Sequence, residues 1–349
     1  MKAMLMHKPG DVRLTELPTP EPAADEVLIA IKASGICTND VRDYHGDCSY
    51  SYPRIGGHEY CGTIVKMGDA VNPKHFQVGQ NVVSYIIEDC HECKLCKTGN
   101  ENICLDHLES KVFHNPDGIS GYCGFAEYIT AKADDLIAYE EETTFTKMAF
   151  TEPLACCVNS INRCDIRFGQ DVAVVGGGTM GLLHVMLLVR KGARVIVSEP
   201  LAERRELALK LGAYAAIDPM ESDPVERVRE LTRGQGADFV FNTCAHPKIA
   251  VQAIDMMAPC GTCMMFSSIH PRENIPVDVS ALHTFQKTVT GAVSPTVRAY
   301  YEAVQLIDKG IIDPLPVLEG VFDYTDFQSA MDAACRPDTY KVVVKFGEW

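Results

Sequence analysis

The feature that most constrains this chain is a run of glycines between a strand-like segment and a helix-like one. Val172–Val175 is a short apolar run of the kind that fills a buried strand. It leads into Gly176-Gly177-Gly178-Thr179-Met180-Gly181, and Thr179–Arg190 then has helical length. Gly176, Gly178 and Gly181 fill a G-x-G-x-x-G pattern. The first glycine permits a tight turn, the second lets backbone approach a pyrophosphate, and the third lets helix and strand pack closely. The helix N-terminus offers N–H groups and a positive dipole to phosphates. Arg194–Ser198 reads as the next strand, and Glu199 closes it. A carboxylate there can accept from both adenosine ribose hydroxyls and would repel a 2′-phosphate, which favours NAD over NADP. Arg204 and Arg205, a turn further on, soften that preference. A glycine turn of this kind can also close a parallel sheet that binds nothing, but the strand before it and the helix after it favour the nucleotide.

The surrounding pattern extends the same unit. Tyr214–Ile217, Phe239–Phe241 and Thr262–Phe266 read as strands, and Leu201–Leu211, Pro224–Thr232 and Ile249–Met257 as helices. Such alternation argues for a parallel sheet with crossover helices. The first half differs. Lys2–Met6 and Glu26–Lys32 read as strands between Pro and Gly punctuation, and residues 57 to 83 suit a small β-barrel-like unit. Residues 88–118 read as a loop rich in Cys, Asn, Asp and Gly. The tail holds a helix at Val297–Asp308, a Pro-rich turn, a helix near Asp326–Ala334 and a last strand, Lys341–Phe346. The expected division is 1–155 with 293–349, and 156–292 between them.

At 349 residues the chain is long enough for two domains. Its 32 basic and 47 acidic residues give a formal charge of −15, which argues against nucleic acid or an anionic membrane surface as partner. The first residues carry no apolar signal segment, and no apolar run is long enough to span a bilayer. A cytoplasmic protein with reduced thiols is therefore expected, although cysteines number 15. Several of them fall at metal-ligand spacing. Cys90, Cys93, Cys96 and Cys104 place four thiols on one short loop, with Gly99 and Asn100 where the chain must turn. Four thiolates close a tetrahedral zinc shell, so this would be a structural site. Four unrelated thiols or an iron–sulfur cluster are the alternatives. Elsewhere Cys37, His58, Glu59 and Glu152 offer one thiolate, one imidazole and two carboxylates, a set that can leave a zinc position open. Spacing alone does not join these residues.

Together these stretches carry a resemblance. Gly35-Ile36-Cys37-x-x-Asp40 and Gly57-His58-Glu59-x-x-Gly62 come first. The four-cysteine lobe, Phe125-Ala126-Glu127-Tyr128, Glu152-Pro153-Leu154 and the glycine turn follow in order. The chain resembles, over essentially its full length, a zinc-dependent medium-chain dehydrogenase/reductase of the sorbitol, butanediol and threonine dehydrogenase branch. The resemblance implies an α/β protein with a GroES-like β-rich catalytic domain and a Rossmann doubly wound coenzyme domain, the active site lying in the cleft between them. It implies two zinc ions per chain and NAD. Catalytic zinc would sit at Cys37 and His58, with Glu59 a direct or water-mediated ligand and Glu152 a fourth ligand or an exchanging neighbour. Gly176, Gly178, Thr179, Met180, Gly181, Glu199 and Arg204 would hold the coenzyme. The partners would be a small alcohol or ketone and further copies of the chain, as a homodimer or homotetramer.

The departures from the family pattern are informative. Asn39 stands where relatives usually have Ser or Thr, and an amide positions an alcohol but relays protons poorly. Arg42 stands where His is frequent, Asn159 where His is frequent, and Thr179 where Pro is frequent. His45 is the one histidine of this loop, and imidazole is the side chain suited to carrying protons, which makes it a relay candidate, or else an exposed loop histidine. Asn39, Arg42, Asp43, Tyr44, His45 and Glu152 suit a polyhydroxylated or charged substrate. The expected activity is NAD-linked interconversion of a secondary alcohol and a ketone on a polyol, sugar or sugar derivative. A threonine-type amino alcohol, a vicinal diol or an alcohol bearing phosphate or sulfonate is the alternative. A non-catalytic zinc and nucleotide binder is a third reading.

Overall fold

The computed structural model describes residues 1–106, 118–121, 123–140 and 142–348. It divides into two compact units, Met1–Ala155 with Thr296–Trp349, and Cys156–Pro295. The expected cysteine lobe at 88–118 is described as far as residue 106, and positions 107–117 lie outside the described residues.

The first unit begins with β1 (Lys2–Lys8), β2 (Asp11–Glu16), β3 (Glu26–Ile36), β4 (Glu59–Met67), β5 (Asn81–Ser84), β6 (Tyr128–Lys132) and β7 (Leu136–Ala138). The second unit holds β8 (Asp171–Val175), β9 (Arg194–Ser198), β10 (Ala215–Ile217), β11 (Ala237–Asn242), β12 (Met257–Met265) and β13 (Thr288–Gly291). The chain returns to the first unit with β14 (Leu318–Asp323) and β15 (Lys341–Lys345).

In the first unit the main sheet runs β14-β15-β3-β4-β5-β7, with β6 also on β3. β3 is its centre, and the long apolar run of that strand follows from its position. Ile31 and Ile36 pack into one core with Ile55, Phe125, Phe327, Val342 and Phe346. Val27 and Ile29 pack into another with Ile64, Val71 and Val82. Fully burying such a side chain contributes roughly 1.5–3 kcal/mol. β15 lies antiparallel to β3, pairing Val342 with Ile36, so the last strand of the chain is stitched beside the end of β3.

In the second unit all pairings are parallel and the order is β10-β9-β8-β11-β12-β13. This is the doubly wound 3-2-1-4-5-6 order, which opens a crevice at the carboxyl ends of its two central strands. Val172 and Val174 of β8 are fully buried, as parallel strands covered on both faces should be. The helix Thr179–Arg190 is buried from Gly181 to Leu188. Asp223 caps the helix Pro224–Leu231 by accepting from the Val225 and Glu226 N–H groups, and Pro224 takes its first position.

Candidate active site

Both metal-ligand clusters belong to the first unit. Cys37 ends the run of β3 and stands as N-cap of the helix Thr38–His45. Its sulfur accepts from the Asp40 N–H, and the Asp40 carboxylate accepts from the Cys37 N–H at 3.0 Å, a reciprocal capping box. The other Asp40 oxygen accepts from the Gly57 N–H at 3.1 Å, just ahead of His58. Asp40 Oδ2 also lies 3.9 Å from His58 Nδ1. One buried aspartate thus fixes the chain on both sides of the cluster. Cys37, His58 and Glu59 bring one ligand atom each within 4.8 Å of one another. Glu59 opens β4 and is paired with Gly35 of β3. Gly35 has no side chain because a methyl group there would overlap the Glu59 carboxylate.

Glu59 has a partner that sequence reasoning missed. Lys341 is buried at the head of β15 and donates to both Glu59 oxygens at 2.7 Å and to the Ile36 carbonyl at 3.1 Å. Glu152 is buried in the first turn of the helix Thr151–Asn162. It lies outside the 4.8 Å group, yet its charge reaches both His58 and Lys341. Burial pushes the His58 imidazole down, but Cys37, Asp40 and Glu152 outweigh it and leave the imidazole well above its ordinary pKa. Burial likewise pushes Lys341 down, and Glu59, Cys37 and Glu152 raise it past its ordinary value. One sulfur, one nitrogen and one oxygen donor within 4.8 Å of one another suit zinc.

The second cluster is Cys90, Cys93, Cys96 and Cys104, whose four sulfurs lie within 4.8 Å of one another. Cys93 Sγ is 3.4 Å from Cys96 Sγ, and Cys90 Sγ is 3.8 Å from it. Tetrahedral zinc with Zn–S bonds of ~2.3 Å puts its sulfurs ~3.8 Å apart, so this cradle fits the ion. The Cys93 N–H donates to Cys90 Sγ at 3.2 Å, a bond that favours a thiolate.

The relay candidates are not brought together. His45 is exposed at the C-terminal end of the helix that Cys37 caps, its ring edge-on to Tyr44. Eight residues of helix put it ~12 Å along the axis from Cys37. That is too far for a direct proton transfer, so His45 is corrected to a surface residue. Asp43 is buried and committed, accepting from the Tyr52 hydroxyl at 2.7 Å and pairing with Arg54 at 3.1 Å. Burial, only partly offset by Tyr52 and Arg54, raises its pKa. The Tyr44 hydroxyl accepts from Gln328 at 3.2 Å. Asn39 remains in the first turn, and the Tyr50 hydroxyl meets its carboxamide.

In the second unit the glycine turn follows β8 at the reversal of strand order. Gly176 has φ 101°, a left-handed conformation that glycine adopts freely. A methyl group at Gly181 would overlap the Gly176 carbonyl oxygen, so helix and turn approach as closely as backbone allows. Glu199 is buried, accepting from the Gly177 N–H at 2.6 Å and the Leu201 N–H at 2.9 Å. It therefore braces the turn, a role the sequence did not suggest. A side-chain nitrogen of Arg204 would stand 3.9 Å from a methyl group placed on Gly178. Arg205 points away, pairing with Asp218 at 2.9 Å and donating to the Glu199 and Pro200 carbonyls. Asn159 donates to the Ser294 carbonyl at 2.7 Å and is structural.

Comparison with known proteins bears on this arrangement. An alcohol dehydrogenase GroES-like domain matches residues 23–141, and a zinc-binding dehydrogenase domain matches 179–309. L-threonine 3-dehydrogenase of Caldanaerobacter subterraneus is 31% identical over 347 residues, spanning 97% of this chain and 96% of that protein. The chain belongs to the zinc-dependent medium-chain alcohol dehydrogenases. It falls in their polyol and threonine branch, for sorbitol dehydrogenase of Bacillus subtilis is 28% identical over 96% of this chain and 94% of that one. A zinc-binding dehydrogenase from Sinorhizobium meliloti, solved bound to NADP, superposes with a TM-score of 0.90 at 26% identity, covering 99% and 98% of the two chains. The family is that of a zinc-type dehydrogenase acting on a small-molecule alcohol, with a GroES-like and a Rossmann fold. No helix among the described residues is long and apolar enough to cross a membrane.

Proposed function

We propose that this chain is an NAD-dependent, zinc-dependent dehydrogenase of a secondary alcohol on a polyol, sugar or sugar derivative. The observation that carries the reading is the Cys37–His58–Glu59 cluster, a three-donor cradle framed by Asp40, Lys341 and Glu152. Cys37, His58 and Glu59 would hold catalytic zinc, with Glu152 as an exchanging neighbour. The four thiols of Cys90, Cys93, Cys96 and Cys104 would hold a second, structural zinc. Gly176, Gly178, Thr179, Met180 and Gly181 would seat the pyrophosphate, and Glu199 with Arg204 would face the adenosine ribose. Glu199 supports NAD, because a buried carboxylate already braced by two amides repels a 2′-phosphate.

When bound, zinc supplies Lewis acidity that eases ionisation of the substrate hydroxyl, and the nicotinamide accepts the hydride. The chain's residues do the rest. Asp40 keeps the Cys37 sulfur and the His58 ring in position. Lys341 draws both Glu59 oxygens toward itself, so Glu59 can yield a ligand position without becoming an unpaired buried charge. Asn39 orients the alcohol by hydrogen bonding, and Glu59 or a water at Asn39 accepts its proton. A four-thiol cradle suited to structural zinc supports a reducing compartment such as the cytoplasm. The exposed β13 edge, with Val289 and Val293 beside it, supports assembly of copies into a dimer or tetramer.

The 31% identity to an L-threonine 3-dehydrogenase supports an amino-alcohol substrate as the second reading. Initial rates of NADH formation on polyols, sugar phosphates, diols and threonine decide between them, run with NAD and NADP and with and without a zinc chelator. Chelator-sensitive oxidation of a polyol or sugar derivative with NAD is expected. Turnover of threonine alone would replace the first reading with the second. No turnover of any alcohol, at full zinc content, would favour a non-catalytic binder.

A further inference from the structure

Between residues 88 and 106 the chain buries only Glu101 and Cys104. The short helix Lys94–Lys97, which carries Cys96, buries no side chain. A lobe with so little apolar burial is not held by packing, and its order depends on what its four thiols bind. Its two buried residues share one turn, in which the Cys104 N–H donates to the Glu101 carbonyl at 2.9 Å. The Asn100 N–H, one residue earlier, donates to the Leu95 carbonyl at 2.9 Å and ties that turn to the helix of Cys96. Displacing the thiols therefore displaces Glu101.

Glu101 reaches out of the lobe. Its Oε1 accepts from the Val297 N–H at 2.6 Å. Val297 opens the helix Val297–Asp308, just after the chain re-enters the first unit at Thr296. Its N–H is one of those that a helix leaves without an internal partner. The Thr296 hydroxyl takes another, that of Ala299, at 3.1 Å. A carboxylate at this end also meets the positive end of the helix dipole. The helix is thus capped twice, by the residue before it and by one 196 positions from Val297 in sequence. The entry to the lobe touches the same turn. Tyr300 is 1% exposed and donates its hydroxyl at 2.9 Å to the carbonyl of Ser84, the last residue of β5. Both ends of the lobe therefore hold the first turn of the helix.

We propose that Glu101 makes the cysteine lobe a metal-dependent cap on the helix Val297–Asp308, so that zinc at the four thiols and order in the first turn of that helix strengthen each other. The proposal rests on the reading that Cys90, Cys93, Cys96 and Cys104 hold zinc. Hydrogen–deuterium exchange followed by mass spectrometry tests it on the zinc-loaded full chain, with zinc per chain measured on the same samples. The comparison is between residues 297–300 and the helix Thr179–Arg190 of the second unit. Cys93→Ser empties the lobe, and Glu101→Ala leaves its thiols in place. Each speeds exchange of residues 297–300 about tenfold, the size of an ordinary coupling between two sites. Thr179–Arg190 exchanges as in the wild type. Coupling is reciprocal, so Glu101→Ala also loosens the metal. In the Cys37→Ser background, where the lobe zinc is the one retained, adding Glu101→Ala lets a chelator take half of it at an about tenfold lower chelator concentration. That arm changes no cysteine of the lobe, and a merely local helix cap would not move it. Residues 297–300 exchanging within about twofold of the wild type in either variant, or a lobe zinc held equally well with and without Glu101, overturns the metal-dependent cap and leaves the four-thiol reading standing. An equal rise in Thr179–Arg190 in Glu101→Ala also overturns the cap, because it marks general loosening. A Cys93→Ser chain that holds as much zinc as the wild type overturns the four-thiol reading, and the cap with it.

Discussion

Replacing Lys341 by Met leaves a buried carboxylate without its cation. Lys341 Nζ donates to both Glu59 oxygens at 2.7 Å and to the Ile36 carbonyl at 3.1 Å, and Lys341 and Glu59 are 6% and 2% exposed. Met matches the apolar stem and supplies none of the donors. Breaking one side of a buried pair costs about 3–5 kcal/mol, and the orphaned carbonyl adds about 1 kcal/mol. A loss of about 5 kcal/mol is therefore expected in the first unit of the zinc-free protein. Urea unfolding followed by circular dichroism, on chelated and zinc-loaded samples, reads it. With zinc present the loss is smaller, because the metal offers Glu59 another positive partner. The double variant Lys341→Met with Glu59→Gln recovers more than half of the loss, since removing both charges leaves nothing unpaired. A single-variant loss below about 1 kcal/mol, or a double variant no better than the single, would refute the reasoning that Glu59 depends on Lys341.

Two further expectations concern the second unit. His184 is fully buried, its ring nitrogens bonded to the Met180 carbonyl and the Ser160 hydroxyl at 2.7 Å, and burial pushes its pKa down to about 4. The unfolded chain binds that proton from about pH 6.5 downward, so stability is complete above pH 6.5 and falls toward pH 4, by roughly 3 kcal/mol at most. His184→Phe flattens that acid limb in a series of melting curves between pH 4 and 7, and an unchanged limb would show that the imidazole is not the cause. Glu199→Ala frees the Gly177 and Leu201 N–H groups and removes the charge proposed to face the ribose. The ratio of kcat/KM for NAD over NADP drops at least tenfold, read by steady-state kinetics, and an unchanged ratio would remove Glu199 from coenzyme selection.

What the sequence made legible was mostly contiguous. The glycine turn could be read because strand, turn and helix follow one another without a break, and because Gly181 must touch Gly176. The four-cysteine cradle could be read for the same reason, its ligands lying on one short loop. Lys341 could not. It lies 282 residues from Glu59, and a lysine at the head of an apolar strand reads as an ordinary solvated strand end. Its burial follows only from the antiparallel pairing of β15 with β3, a long-range fact that no local pattern carries. The short strands β6, β7 and β14 were missed because their alternation is brief and their pairing decides them. His45 misled for a related reason. Closeness in sequence to Cys37 suggested closeness in space, but the intervening residues form a helix that carries it away. Tyr50, farther along the chain, is the residue the loop returns.

Two clusters are proposed to hold zinc, and only the Cys37–His58–Glu59 cluster should be needed for the chemistry of turnover. The most direct measurement is zinc per chain together with the initial rate of NADH formation, on the same preparations of the wild type, Cys37→Ser and Cys93→Ser. The wild type should carry two zinc ions and oxidise its alcohol. Cys37→Ser should keep one and lose turnover by at least a thousandfold. Cys93→Ser should also keep one, melt lower and still turn over. A Cys37→Ser protein that holds two zinc ions, or that turns over like the wild type, would contradict the assignment of the catalytic metal to Cys37, His58 and Glu59.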